Sequence, residues 1–211
     1  MVSDLYLIYK KLYSHFGPQA WWPAESPFEV MIGAILTQNT NWQNVERAID
    51  NLRKKSLLEP KKLYNIPVED LARLIRPAGY YNVKAKRLRE FLKFYFDAWK
   101  GSLKKPSLLK TARLRELLLS VKGIGPETAD SILLYALKRP VFVVDAYTKR
   151  VLFRHNFIKE NAGYDEIQNL FMKDLKKNVK MFNEYHALLV KLGKVYCLKR
   201  KAKCEICPLR E

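Results

Sequence analysis

A chain of 211 residues with 48% hydrophobic content can bury a sizeable core, as one large domain or two small ones, which excludes global disorder. Lysine and arginine number 39 against 21 acidic residues, a formal net charge of +18 that calls for a polyanionic partner: nucleic acid first, an anionic membrane surface second. No apolar run nears the roughly 18 residues that span a bilayer, Met1–Asp4 lacks a basic-then-apolar leader, and the basic residues are spread along the chain rather than gathered in one amphipathic stripe. These features weigh against a membrane and point to an intracellular protein, cytoplasmic or nucleoid-associated.

Helical periodicity dominates, with no internal repeat or low-complexity linker. Ser26-Pro27-Phe28-Glu29 reads as a capping box with proline at the first helical position, opening an apolar helix through Leu36. The turn formers of Gln38-Asn39-Thr40-Asn41-Trp42 break it. A second helix follows, with Val45, Ala48, Ile49 and Leu52 on one face. Pro77-Ala78-Gly79 interrupts the pattern again, and the basic stretch Lys84 to Arg89 begins a further helix. Between Leu114 and Lys138 two helices are joined by Lys122-Gly123-Ile124-Gly125-Pro126, the second burying Ala129, Ile132, Leu133 and Ala136. Val141–Val144 has strand propensity but no partner strand, so it reads as a buried extended connector. Asp145 then stands at the start of a basic helix, Ala146 to Arg154, where an N-cap is one role for it. The three cysteines fall in the last fifteen residues, which suggests metal ligation in a reducing compartment rather than a disulfide scaffold.

Both hairpin glycines can take positive φ, leaving backbone N–H groups uncovered, a means of holding a phosphate without reading sequence. The run from Leu119 to Ala129, containing Lys122-Gly-Ile-Gly-Pro-Glu127, and then Val143-Val-Asp-Ala-Tyr-Thr-Lys-Arg150 together resemble the helix-hairpin-helix signature of the endonuclease III superfamily of DNA glycosylases. The resemblance runs from Trp22 to Cys207. It is nearest to the endonuclease III-like 3-methyladenine DNA glycosylases, through Trp21-Trp22-Pro23, Leu36-Thr-Gln-Asn-Thr-Asn-Trp42 and Gly79-Tyr-Tyr-Asn-Val-Lys-Ala-Lys-Arg-Leu88.

Helical periodicity makes the fold all-α, and the resemblance implies two helical lobes with a DNA-binding cleft between them. One lobe runs over 27–139 and ends in the hairpin; the other joins 1–26 to 140–211. It also implies Asp145 as the catalytic acid, at the mouth between the lobes. A fixed carboxylate stabilises the positive charge that builds on the sugar as a glycosidic bond breaks, and can orient or deprotonate the attacking water. Glu127 falls where bifunctional members carry the lysine that forms a Schiff base. A carboxylate cannot form an imine, so the lyase step is expected to be absent; Glu127 is also well placed as an acidic residue in a first helical turn.

Trp22 and Trp42 would sandwich the extruded base beside Pro23 and Glu127, although both indoles are equally natural as core. An electron-rich sandwich suits a cationic base, by roughly 2 kcal/mol when desolvated. Gln38 and Tyr80 would enter the duplex to fill the vacated space, or else satisfy a turn and sit on the surface. Lys84, Lys86 and Arg87 read as phosphate contacts or a solvated basic face, with Lys122, Gly123 and Gly125 contacting the backbone through the hairpin. Cys197, Cys204 and Cys207 match three ligands of the family's iron–sulfur loop, implying a [4Fe-4S] cluster whose fourth cysteine this sequence does not contain. Histidines 15, 155 and 186 show no metal spacing and read as surface or core.

The implied activity is monofunctional hydrolysis of the N-glycosidic bond of alkylated purines such as 3-methyladenine, by a monomer on double-stranded DNA containing the damaged base. The alternatives are a monofunctional mismatch or oxidised-pyrimidine glycosylase, and a non-catalytic DNA-binding module.

Overall fold

The structure is a computed structural model that describes residues 4–210. Met1–Ser3, the start of the stretch read as lacking a secretion signal, lie outside the described residues, as does Glu211. Among the described residues there is no strand, and no helix is long and apolar enough to cross a membrane. The chain forms two compact units, residues 24–137 and residues 1–23 together with 138–211.

The 24–137 unit contains α2 (Pro27–Leu36), α3 (Trp42–Lys54), α4 (Pro60–Asn65), α5 (Val68–Leu74), α6 (Tyr81–Trp99), α7 (Lys104–Ser107), α8 (Thr111–Leu119) and α9 (Pro126–Ser131). Every residue of α2 from Phe28 to Leu36 is buried, so this helix is the unit's axis, packed by α3, α6 and α9. Its start follows the expected chemistry: Ser26 Oγ accepts the Glu29 N–H at 3.1 Å, and Pro27 occupies the first turn. The Glu29 carboxylate reaches back to the Glu25 N–H at 3.4 Å and also binds Arg53 at 2.7 Å, which explains how a buried acid is tolerated there. After α9 the helix widens into one π-type turn, Ile132–Ala136, with all five side chains buried.

The other unit holds α1 (Asp4–Phe16), α10 (Ala146–Arg154), α11 (Tyr164–Asp174) and α12 (Val179–Val195). Val141–Val144 is buried and forms neither helix nor strand, as expected for a buried connector. Within it Phe142 stacks on Phe171 at 3.7 Å, and its carbonyl accepts from Gln168 Nε2 at 2.7 Å. Tyr185 of α12 packs edge-on against both rings and donates its hydroxyl to Leu5 O at 2.8 Å, tying α1 into this core. The effect is to fix the connector that delivers Asp145.

Candidate functional site

Asp145 ends that connector in extended geometry, φ −119° and ψ −178°, and caps α10 by accepting the Thr148 N–H on Oδ1 at 2.7 Å. The second carboxylate oxygen faces α12, with His186 Nε2 3.6 Å from Oδ2. The carboxyl side chain keeps 13% of its surface exposed. Burial works to raise its pKa, but attraction to the His186 imidazole and hydrogen bonding to Thr148 outweigh that, and the group is held below the usual carboxylate range. Trp21 presents its ring to the His186 imidazole in a T-shaped contact at 6.0 Å. His186 is the site residue that sequence reasoning missed: its partner lies 41 positions away, a separation that leaves no local pattern.

Trp22 and Pro23 belong to the same unit as Asp145; Trp42 and Glu127 belong to the other. Trp22 and Trp42 are half-buried, while Pro23 and Glu127 are exposed. Trp22 sits in left-handed backbone, φ 64°, as do Asn39 at 54° and Tyr80 at 46°. Each such residue costs roughly 1–2 kcal/mol, and strain of this kind is retained where the surroundings enforce it. Tyr80 is 66% exposed and stands at the N-cap of α6 without a side-chain cap bond.

The two hairpin glycines differ in conformation. Gly123 takes positive φ, 90°, but Gly125 is extended at φ −94°. A Cβ at Gly123 would stand 2.5 Å from Arg87 Cγ, whereas one at Gly125 would meet nothing. Glycine at 123 is therefore required by both backbone and packing; at 125 it leaves the N-terminus of α9 bare, with no side-chain cap there. The two hairpin helices are clamped by a bidentate pair, Arg115 Nε to Asp130 Oδ1 at 2.9 Å and Arg115 Nη2 to Oδ2 at 3.1 Å. Lys122 is exposed on the turn.

Gln38 is engaged with the hairpin. Its Nε2 donates to Gly123 O and to Thr128 Oγ1, each at 2.9 Å, and its Oε1 accepts from Arg87. The same network holds Arg87 against Gly123. Lys84 is the clear correction to the basic-face reading. It is 1% exposed, and its ammonium donates to Leu36 O at 2.8 Å and Ala78 O at 2.7 Å, closing the ends of α2 and of the 3-10 turn Arg76–Ala78 that follows α5. Burial, with a smaller push from Arg87, brings its pKa down to about 8. An ammonium spent on two interior carbonyls is not a phosphate contact. Lys86 is exposed as expected, and with Arg87, Arg89, Lys122 and Gly123 it lines a basic surface pocket beside the hairpin.

Cys197 is buried, Cys207 half-buried and Cys204 exposed. Arg154 of α10 donates to Cys197 Sγ at 3.2 Å and to Leu198 O at 2.7 Å, while Arg150 donates to Cys197 O at 2.8 Å. These two arginines anchor the start of the cysteine loop. Burial, then the proximity of the other two sulfurs, raises the Cys207 thiol pKa. Among the described residues, however, no three His, Cys, Asp or Glu side chains are grouped so as to hold a metal ion. The described thiols thus do not by themselves compose the cluster site that the resemblance implied.

The comparisons with known proteins agree with this architecture. A Methanocaldococcus jannaschii protein assigned to the DNA repair glycosylases is 52% identical over 208 residues, covering 98% of this chain and 94% of that protein. Endonuclease III of Thermotoga maritima is 29% identical over 188 residues, 87% of this chain and 81% of the enzyme. Among solved structures, the H. pylori 3-methyladenine DNA glycosylase MagIII, bound to 1,N6-ethenoadenine, superposes with a TM-score of 0.79 at 32% identity, covering 91% of this chain and 98% of that one. A trapped endonuclease III–DNA covalent intermediate shares the fold at a TM-score of 0.84 and 23% identity, over 99% of this chain and 94% of that one. Residues 32–177, which hold the hairpin, Asp145 and Gln38, match the HhH-GPD superfamily, and the chain belongs to that superfamily of base excision DNA repair proteins.

Proposed function

We propose that the chain is a monofunctional DNA glycosylase that releases alkylated purines, 3-methyladenine-like cations foremost, by hydrolysis. The observation that carries the reading is the state of Asp145: a largely buried carboxylate, held ionised and fixed by the N-terminus of α10. An anion so placed lowers the energy of a cationic sugar in the transition state and can take the proton from the attacking water. The C1′–N bond breaks with its electron pair leaving on the base, and water oxygen forms the new bond to C1′. An N3-alkylated adenine departs as a neutral base and needs little protonation, so one carboxylate suffices.

Further observations support the reading. MagIII, a solved relative at 32% identity, is a 3-methyladenine DNA glycosylase. Trp22 and Trp42 remain partly accessible instead of filling the core, as stacking partners for a base require. Glu127 in the first turn of α9 cannot form an imine, which supports hydrolysis without a lyase step. Gly125, the bare start of α9 and Lys122 offer backbone and charge to a phosphate. The chemistry runs through Asp145 and water and needs no iron–sulfur cluster.

The test is incubation with dimethyl sulfate-treated genomic DNA, identifying released bases by mass. Free 3-methyladenine is the expected product. Release from uracil- or thymine glycol-containing duplexes alone would favour the mismatch or oxidised-pyrimidine reading.

A further inference from the structure

His186 lies on α12, with its side chain 7% exposed and its Nε2 3.6 Å from Asp145 Oδ2. The Thr148 N–H occupies Oδ1. We infer that His186 is a positioning residue for Asp145: the imidazole holds Oδ2 while the α10 N-terminus holds Oδ1, so the carboxylate is presented in one orientation. This rests on Asp145 being the reacting carboxylate. Trp21, edge-to-face with the imidazole at 6.0 Å, restricts the ring in turn.

Several charged and titratable groups on the surrounding elements have partners elsewhere or face solvent. On α10, Lys149 donates to Ala162 O, and Arg150 lies over the Tyr147 ring and donates to Cys197 O and Gly193 O. On α12, Glu184 accepts the Gln19 N–H, Tyr185 donates to Leu5 O, and Lys191 and Lys194 are exposed. On α11 the Tyr164 hydroxyl accepts from Val144, and on α1 His15 pairs with the Tyr196 hydroxyl. His186 and Thr148 offset the burial of Asp145. With only the helix cap remaining, burial would push the carboxyl toward its neutral form, which neither stabilises a cation nor accepts a proton.

The experiment follows the Asp145 carboxyl by 13C NMR across pH, its signal identified by loss in Asp145→Asn. In parallel, single-turnover base release from dimethyl sulfate-methylated duplex DNA is measured over the same range. The wild type should titrate below the usual carboxylate range. In His186→Leu the titration should move up, and the acid limb of the release rate with it, by about tenfold in rate for each pH unit moved. His186→Gln, which keeps an N–H near the place of Nε2 but no charge, should restore only part of the wild-type profile. DNA affinity at neutral pH should be unchanged in both. Should His186→Leu not fold, His186→Asn, whose amide is too short to reach Oδ2, is read the same way. An Asp145 titration in His186→Leu or His186→Asn that matches the wild type overturns the inference, since a merely structural histidine would leave it unmoved. Failure of the catalytic reading looks different: Asp145→Asn would then release base at the wild-type rate, whatever His186 does to the titration.

Discussion

Asp145 caps α10 through Thr148 with the same carboxylate that the proposed chemistry uses, Oδ1 to N–H at 2.7 Å. The two roles separate on substitution. Asp145→Asn keeps an oxygen for the cap and should cost well under about 1 kcal/mol, whereas Asp145→Ala loses the cap and should cost about 1 kcal/mol. Both should lose excision. Because the folded carboxyl titrates below its ordinary value, its contribution to stability is present above that value and is lost as pH falls through the folded pKa. Acid unfolding of the wild type compared with Asp145→Asn checks this: their stability difference should shrink only as the pH falls below the usual carboxylate range.

The two hairpin glycines should respond oppositely to alanine. Gly123→Ala meets both positive φ and Arg87 Cγ, and should cost about 1–3 kcal/mol. Gly125→Ala meets open space in ordinary backbone, so its thermal midpoint should stay near the wild type while DNA affinity falls. Thermal melting alongside DNA titration distinguishes the two.

Lys84 and Lys122 should divide stability from binding. Lys84→Met removes a donor from two buried carbonyls and should destabilise by about 2–4 kcal/mol. It should leave the salt dependence of DNA binding unchanged. Lys122→Ala should reduce the slope of log affinity against log salt by about 0.9 at little cost in stability. Alkali adds a further check on Lys84. Its folded pKa of about 8 lies below the ordinary 10.5, so the unfolded chain binds more protons between those values, and wild-type stability should rise with pH there relative to Lys84→Met.

Borohydride added during incubation with abasic DNA should trap no covalent complex, because Glu127 occupies the first turn of α9. A trapped adduct would show that another amine serves and that the lyase step survives.

How much of this was legible in the sequence depended on whether the determinant was local. The start of α2 was readable because Ser26, Pro27 and Glu29 act within one turn, and the Asp145 cap because it reaches three residues forward. The all-helical fold followed from periodicity. Lys84 was misread because a lysine in a basic run carries no mark of the two carbonyls waiting for it, from Leu36 and Ala78. Gln38 finds Gly123 across 85 positions, and His186 finds Asp145 through tertiary packing. Glycine type allows positive φ at both hairpin positions, but the proline that follows Gly125 favours the extended backbone found there. Cysteine spacing, likewise, did not establish a metal-holding arrangement among the described residues.

The most direct measurement of the central claim is single-turnover release of 3-methyladenine from methylated duplex DNA by the wild type and by Asp145→Asn, with DNA binding measured on the same preparations. The account predicts free 3-methyladenine from the wild type, and from the variant intact binding with release reduced at least about a hundredfold, on the scale of general-base catalysis. Equal release by the two proteins would contradict it.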